Sequence, residues 1–194
     1  GTYQPNFGAS SCIDASLGYF VEGSNATMQE ACSPGTYQPN FGSTFCVIAS
    51  PGHYVDAFGS SLEEACSEGT YNPSSGSSDI SDCLIADPGN YVDYEGASTQ
   101  FECPMGTYNP NSNSITSNDC LSADSGYYIE NTGSSEQTPC DLGYYQPSTG
   151  QTFCLESSSG TYVPNTGSSS VMDCLEGTYQ PDSGQDGCLD TDAG

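Results

Sequence analysis

The chain has 194 residues, with no Lys or Arg against 25 Asp and Glu, which gives a formal net charge of −25 at pH 7. This balance excludes nucleic-acid binding, because binding phosphates requires cations, and it argues against docking on anionic lipid surfaces. Leu, Ile, Val and Phe together make up only 27 residues, too few for an ordinary hydrophobic core. Eleven cysteines indicate instead a disulfide framework formed in an oxidising, extracellular compartment.

In chain order, a Gly-x-aromatic motif recurs every 17 residues. The boundary glycines are Gly1, Gly18, Gly35, Gly52, Gly69, Gly89, Gly106, Gly126, Gly143, Gly160 and Gly177. The intervals after Gly69 and Gly106 are longer by three residues. A short fixed period is typical of an array whose units pack on their neighbours, and it predicts an elongated rod or solenoid. No apolar run approaches the length of a membrane span, so no membrane insertion is predicted in this segment.

Each unit, numbered from its boundary glycine as position 0, predicts two short extended segments joined by a turn. Position +2 is aromatic, and position +7 is Gly in nine units and Asn25 or Asn113 in the other two. Because Gly and Asn tolerate positive φ, we expect +7 to be a left-handed turn position. No window has a useful helical period. The predicted fold class is therefore an all-β, disulfide-rich tandem repeat with negligible helix.

The units alternate in kind. Odd units carry Pro at +4, whereas even units carry an acid there, except for Pro164 in the last one. These acids are Glu22, Asp56, Asp93 and Glu130. The true period is thus a double unit of 34 residues, or 37 with the insertion. We predict repeats at 1–34, 35–68, 69–105, 106–142 and 143–176 and a partial repeat at 177–194, and we expect the chain to be a fragment of a longer repeat polymer.

The cysteine spacing allows two regular disulfide pairings, since gaps of 20 residues alternate with gaps of 14 or 17. One pairing closes the shorter gap around each odd unit and leaves Cys12 for an upstream cysteine. The other closes the constant gap of 20, beginning with Cys12–Cys32, and leaves Cys188 for a downstream partner. A bridge across about 15 residues contributes about 3 kcal/mol on the chain-entropy model. We therefore expect reduction to abolish the ordered fold.

The string CSPGTYQPNFGSTFC, with CSEGTY, CPMGTY, CDLGYY and CLEGTY elsewhere, resembles the cysteine-rich repeats of ephrin-receptor-like and tumour-necrosis-factor-receptor-like ectodomains. In those families the cysteine just before Gly-x-Tyr pairs with the one that closes the same module. The pairs that the resemblance implies are Cys32–Cys46, Cys66–Cys83, Cys103–Cys120, Cys140–Cys154 and Cys174–Cys188, with Cys12 joined to an upstream Cys. The chain departs from related arrays at five places where a further cysteine would stand. Those places hold Ala15, Ala49, Ala86, Ala123 and Ser157.

Metal and catalytic motifs are sparse. The even-unit acids could bind Ca²⁺ through oxygen ligands, but no dense Asp-x-Asp-x-Asp-Gly loop is present, so we expect solvated charge and no cofactor. His53 is the single histidine, so no Ser–His–Asp or Cys–His pair can recur. Cys-x₂-Cys metal spacings are absent. We predict that the chain is not an enzyme.

Covalent glycans are expected on this chain. Asn25-Ala26-Thr27 is an acceptable N-glycosylation sequon on a predicted turn, and Asn118-Asp119-Cys120 is a weaker one. Ser and Thr cluster after the +7 turn, as in Ser60-Ser61 and Ser134-Ser135, which is compatible with O-linked glycan.

The regularity of the array favours a structural subunit of an extracellular filament, stalk or surface appendage, with copies of itself or flanking repeats as partners. The alternative is a cell-surface receptor or adhesin ectodomain that binds protein or glycan. A binding module should contain one unit that departs from the others in its exposed positions. The two three-residue insertions, around residues 77–82 and 114–119, are the candidates for such a patch.

Overall fold

The computed structural model describes residues 1–6 and 8–191, which form a series of two-stranded antiparallel hairpins, one to each repeat unit. The described residues contain no α-helix, only two 3₁₀ turns, which confirms the all-β tandem repeat. The chain divides into two compact bodies. The first comprises Gly1–Ala86 and Val92–Gln100, and the second comprises Asp87–Tyr91 and Phe101–Gly194.

The first body contains ten strands in five hairpins. They are β1 (Thr2–Tyr3) with β2 (Ile13–Asp14), β3 (Tyr19–Phe20) with β4 (Glu30–Ala31), β5 (Thr36–Tyr37) with β6 (Val47–Ile48), β7 (His53–Tyr54) with β8 (Glu64–Ala65), and β9 (Thr70–Tyr71) with β10 (Leu84–Ile85). In each hairpin the aromatic residue at +2 lies opposite the first residue of the second strand, as Tyr37 lies opposite Val47.

The second body contains twelve strands in six hairpins. They are β11 (Asn90–Tyr91) with β12 (Phe101–Glu102), β13 (Thr107–Tyr108) with β14 (Leu121–Ser122), β15 (Tyr127–Tyr128) with β16 (Thr138–Pro139), β17 (Tyr144–Tyr145) with β18 (Leu155–Glu156), β19 (Thr161–Tyr162) with β20 (Met172–Asp173), and β21 (Thr178–Tyr179) with β22 (Leu189–Asp190). The register is that of the first body, so Tyr145 lies opposite Leu155.

The turn at +7 adopts the left-handed conformation that the residue types predict. Asn25 and Asn113 have φ values of 67° and 58°, and they are the two non-glycine residues with positive φ among the described residues. The glycines at +7 in the other units also have positive φ, as in Gly59 at 72°. Most L side chains are strained in this conformation, whereas Gly and Asn tolerate it. The turn prediction is confirmed.

Within each body, a unit hydrogen-bonds both to the next unit and to the one after it. In the first body, the Gly18 N–H donates to the Gln38 carbonyl at 2.8 Å, and the Gly59 N–H donates to the Cys32 carbonyl at 2.8 Å. In the second body, the Gly126 N–H donates to the carbonyl of Gln146 at 2.7 Å. These repeated bonds satisfy backbone groups that hairpins of two-residue strands leave unpaired.

The small core is built from two positions of the unit. One is +3, which is Val or Ile in the even units, and the other is the closing position, three residues before the next boundary glycine. The closing residues that are 0% exposed are Ala15, Cys32, Ala49, Cys66, Ala86, Cys103, Ala123, Cys140 and Ser157. Only small side chains fill this position. The hydroxyl of Ser157 is buried there without a hydrogen-bond partner.

In the odd units, position +3 carries an amide instead of an apolar side chain, and this amide is buried in every odd unit after the first. The Gln146 side chain donates to the Phe153 carbonyl at 2.8 Å and accepts the Ser148 N–H at 3.1 Å. In the two units with an insertion the residue is the shorter Asn. Asn72 there donates to the Ser77 hydroxyl at 2.8 Å. Each buried amide is therefore paired, and it fixes the loop that follows the +7 turn.

The two insertions form single 3₁₀ turns, Ile80–Asp82 and Ser117–Asp119. Each turn begins with a capping box, in which Asp79 or Thr116 accepts a backbone N–H of the turn. Each insertion lies within one hairpin, between β9 and β10 or between β13 and β14, and it lengthens the loop while the two strands remain paired.

Candidate functional site

The structure joins each even unit to the following odd unit by a disulfide. The bonded pairs are Cys32–Cys46, Cys66–Cys83, Cys103–Cys120, Cys140–Cys154 and Cys174–Cys188, with Cα–Cα distances of 5.6–5.8 Å. This is the pairing that the receptor resemblance implies and not the pairing across gaps of 20. Each bond links the closing position of an even unit, which is buried in all of them except at the half-buried Cys174, to position +11 of the next unit or its equivalent beyond an insertion.

Two further predicted residues lie near the start of the first body. Cys12 is exposed and is not bonded to any described residue. Asn25 is exposed at its left-handed turn, so the sequon is accessible to solvent. Both residues border a cleft of about 500 Å³, which Tyr3, Gln4 and Asn6 also line. In later units the face of the +7 turn is covered, as Gly42 is by Asp14, whereas nothing lies within 4 Å of a Cβ built on Gly8.

The acids at +4 of the even units, Glu22, Asp56, Asp93 and Glu130, are all exposed. Within the part of the chain that the structure describes, no three His, Cys, Asp or Glu residues come together as a metal-binding group would require. His53 lies in strand β7, where its ring is within 3.0 Å of a Cβ built on Gly96. Its Nδ1 lies 3.3 Å from the Pro51 carbonyl oxygen.

The insertions each expose one isoleucine, Ile80 at 64% and Ile115 at 49%. The two residues lie in different bodies. Each insertion is a separate loop with its own single apolar side chain.

The second body contains a cleft that the sequence analysis did not identify. It has a volume of about 290 Å³ and is lined by Tyr128, Glu130, Asp141, Tyr144, Thr152, Phe153 and Cys154. Three aromatic rings and two carboxylates therefore border one opening. Tyr144 and Phe153 are 37% and 57% exposed, so both rings are accessible to a ligand.

The elements around this cleft hold its lining in place. Tyr128 lies in strand β15 and Tyr144 in strand β17, at the starts of adjacent units. The Cys140–Cys154 disulfide joins those units, and its two cysteines are the chain neighbours of Asp141 and Phe153. The bond from Gln146 to the Phe153 carbonyl, and that from the Tyr144 N–H to the Asp141 carbonyl at 3.0 Å, fix the remaining backbone.

Tyr144 is a departure from the repeat. Position +1 of the odd units is otherwise Thr: Thr2, Thr36, Thr70, Thr107 and Thr178. In four of those units the threonine hydroxyl donates to the carbonyl three residues earlier, as Thr70 does to Ser67 at 2.6 Å. Tyrosine gives up this local bond and places a ring in the cleft. Aligning the odd units position by position would have found this signal.

The first body has an equivalent cleft with different chemistry. Its volume is about 400 Å³. Ser67 and Thr70 stand where the later cleft has Asp141 and Tyr144, and Ile80 of the insertion also lines it. The Tyr54 hydroxyl donates to the Glu64 carboxylate at 2.9 Å, and this bond, reinforced by burial, raises the pKa of Tyr54. A cleft thus occurs at two of the linked unit pairs, and the two clefts differ in their lining.

Residues 126–174 match the family model for the tyrosine-protein kinase ephrin type A/B receptor-like domain. The matched segment covers strands β15 to β20, the Cys140–Cys154 disulfide and the whole cleft. No curated protein matches the chain. The match supports an ephrin-receptor-like cysteine-rich module in this segment, as the resemblance of the motifs implies.

A disulfide-rich module of receptor type suggests an extracellular or secreted protein. The described residues include no helix that is long and apolar enough to cross a membrane.

Proposed function

We propose that the chain is part of a cell-surface receptor or adhesin ectodomain that binds an extracellular protein or glycan. The observation that carries the proposal is the ephrin-receptor-like match at residues 126–174, whose segment also contains the aromatic and acidic cleft. In this function the disulfide-linked unit pairs hold exposed side chains at fixed positions. The chain acts by binding a partner and does not catalyse a reaction.

Charge also favours a receptor or adhesin over a self-associating filament. Two copies of the chain each carry a net charge of −25 and no Lys or Arg. Their side chains therefore cannot form Lys or Arg salt bridges with one another, and their contacts are opposed by repulsion. A partner of different composition meets no such barrier.

Immunogold electron microscopy of the native source tests this proposal, with antibodies raised against the folded 194-residue chain. We expect label on discrete particles at the cell surface, because a receptor or adhesin is displayed there as separate molecules. Antibody pre-absorbed with the folded chain is the control. Label that runs continuously along extracellular fibres would contradict the receptor proposal and restore the filament role.

A further inference from the structure

We propose that the cleft of Tyr128, Tyr144 and Phe153 receives a cationic side chain, arginine or lysine, from a partner protein. This inference rests on the proposed binding function and names the chemistry of the partner. It concerns one cleft in the second body and not the acidic surface as a whole.

The aromatic rings supply the first part of the argument. A guanidinium or ammonium group over a Tyr or Phe face is attracted by the ring quadrupole, and Arg stacks on such faces through its planar group. Tyr128 and Tyr144 come from adjacent units, and Phe153 comes from the loop beside the disulfide. Three rings around one opening thus offer a cation more than one face.

The carboxylates supply the second part. Glu130 and Asp141 border the same opening, and the chain has no Lys or Arg that could pair with either of them. A cation that enters the cleft therefore meets carboxylates with no competing internal salt bridge. Charge-assisted hydrogen bonds to carboxylates are about twice as strong as neutral ones.

The size of the cleft favours one side chain over a large ligand. Pockets for drug-sized molecules span about 300–1,000 Å³, and this cleft, at about 290 Å³, lies just below that range. The disulfide and the buried Gln146 amide already hold its walls, so binding orders little of the protein. A single anchoring residue on a partner suits these dimensions.

The comparison with the first body distinguishes cation binding by this cleft from attraction to the overall negative charge of the chain. The equivalent cleft there has Ser67 and Thr70 in place of Asp141 and Tyr144, and its described lining contains no carboxylate. That cleft therefore serves as an internal reference. A cation attracted only by the net charge would show no preference between the two.

NMR titration of the folded chain with the peptide acetyl-Gly-Arg-Gly-amide tests the proposal. We expect shift changes concentrated at Tyr128, Tyr144 and Phe153 and absent from the reference cleft. The same peptide with norleucine in place of arginine should produce none. The variant Tyr144→Thr restores the residue of the other odd units, so its fold is expected to persist, and we expect it to weaken binding by about 2- to 5-fold.

Charge variants complete the design. Asp141→Asn should also weaken binding, whereas Glu22→Gln, which removes an acid at the position equivalent to Glu130 in another unit, should leave the affinity unchanged. Shift changes spread over all acids, or affinity unaffected by Tyr144→Thr, would overturn the proposal. So would changes at the cleft with N-acetylglucosamine but none with the arginine peptide. The titration does not depend on where the protein is located, so a negative titration would not contradict the receptor proposal. Label along extracellular fibres would likewise contradict the receptor proposal but not the cation site.

Discussion

The boundary glycine Gly143 lies directly against the carbonyl of Gly184, two units further along the chain. A Cβ built on Gly143 would stand 2.0 Å from the Gly184 carbonyl oxygen. Gly143 also has a φ of 81°, which L side chains rarely adopt. The boundary glycine therefore serves both a turn and a close backbone approach.

Replacing Gly143 with Ala should destabilise the fold for two separable reasons. The left-handed backbone costs an L residue about 1–2 kcal/mol, and the steric clash adds about 1–3 kcal/mol. Gly177→Ala is the matched control, because Gly177 has a φ of 82° and nothing lies within 4 Å of its Cβ. Chemical denaturation should show the larger loss for Gly143→Ala. Equal losses in the two variants would mean that the contact with Gly184 contributes nothing.

Removing the buried hydroxyl of Ser157 should stabilise the protein. This hydroxyl has no hydrogen-bond partner, and four other odd units close with Ala at the same position. A buried unsatisfied polar group costs about 1–3 kcal/mol, so we expect Ser157→Ala to raise the free energy of unfolding by about 1 kcal/mol. The exposed neighbour Ser158, changed to Ala, should stay within about 0.5 kcal/mol of the parent. A loss of stability in Ser157→Ala would show that the hydroxyl is bonded in solution.

The cap of the first insertion should respond to acid. Two hydrogen bonds from Ser81, the larger contribution from its hydroxyl and the smaller from its backbone N–H, lower the pKa of Asp79 below 3.8. Because the pKa of Asp79 is depressed in the folded state, its carboxylate stabilises the fold fully at pH values above the ordinary pKa of Asp. This stabilisation is lost as the pH falls through the lowered pKa. The Ser81 amide shift in NMR should follow this titration.

The second insertion provides the control for that titration. Its cap is Thr116, which accepts the Asn118 N–H at 3.3 Å and does not ionise. The chemical shift of the Asn118 amide should therefore show no transition caused by ionisation of its capping residue. An Asp79 carboxyl that titrates at or above 3.8 would contradict the capping geometry.

Asn25 should carry an N-linked glycan when the chain is secreted from a eukaryotic cell. Its side chain is exposed at a turn, and the sequon Asn25-Ala26-Thr27 is free of proline. Intact mass before and after enzymatic release of N-glycans measures occupancy, and Thr27→Ala should abolish it. A mass equal to that of the bare chain would refute the site.

Local features of the fold could be predicted from the sequence, because each depends on one residue type. The positive φ at Asn25 and Asn113 follows from the conformational tolerance of Asn. The hairpin in each unit follows from two extended segments on either side of that turn. In the same way, the lack of a helical period predicted the all-β class.

The contacts between units could not be predicted in this way, because they depend on how units stack. The approach of Gly143 to Gly184 joins residues 41 positions apart through backbone atoms, which no side-chain pattern records. The cleft likewise needs Tyr128 and Tyr144 from adjacent units. A threonine-to-tyrosine change at +1 was visible in the sequence, but its place beside Asp141 and Phe153 required the structure.

The central claim is that a disulfide links each even unit to the following odd unit. The proposed binding site depends on this claim, because the Cys140–Cys154 bond holds both sides of the cleft. Trypsin cannot cut a chain without Lys or Arg, so the measurement is mass spectrometry of the unreduced protein after cleavage before Asp. The account predicts that the fragment 124–140 is linked to the fragment 141–172. A link from 124–140 to 119–123, which would join Cys120 to Cys140, would contradict it.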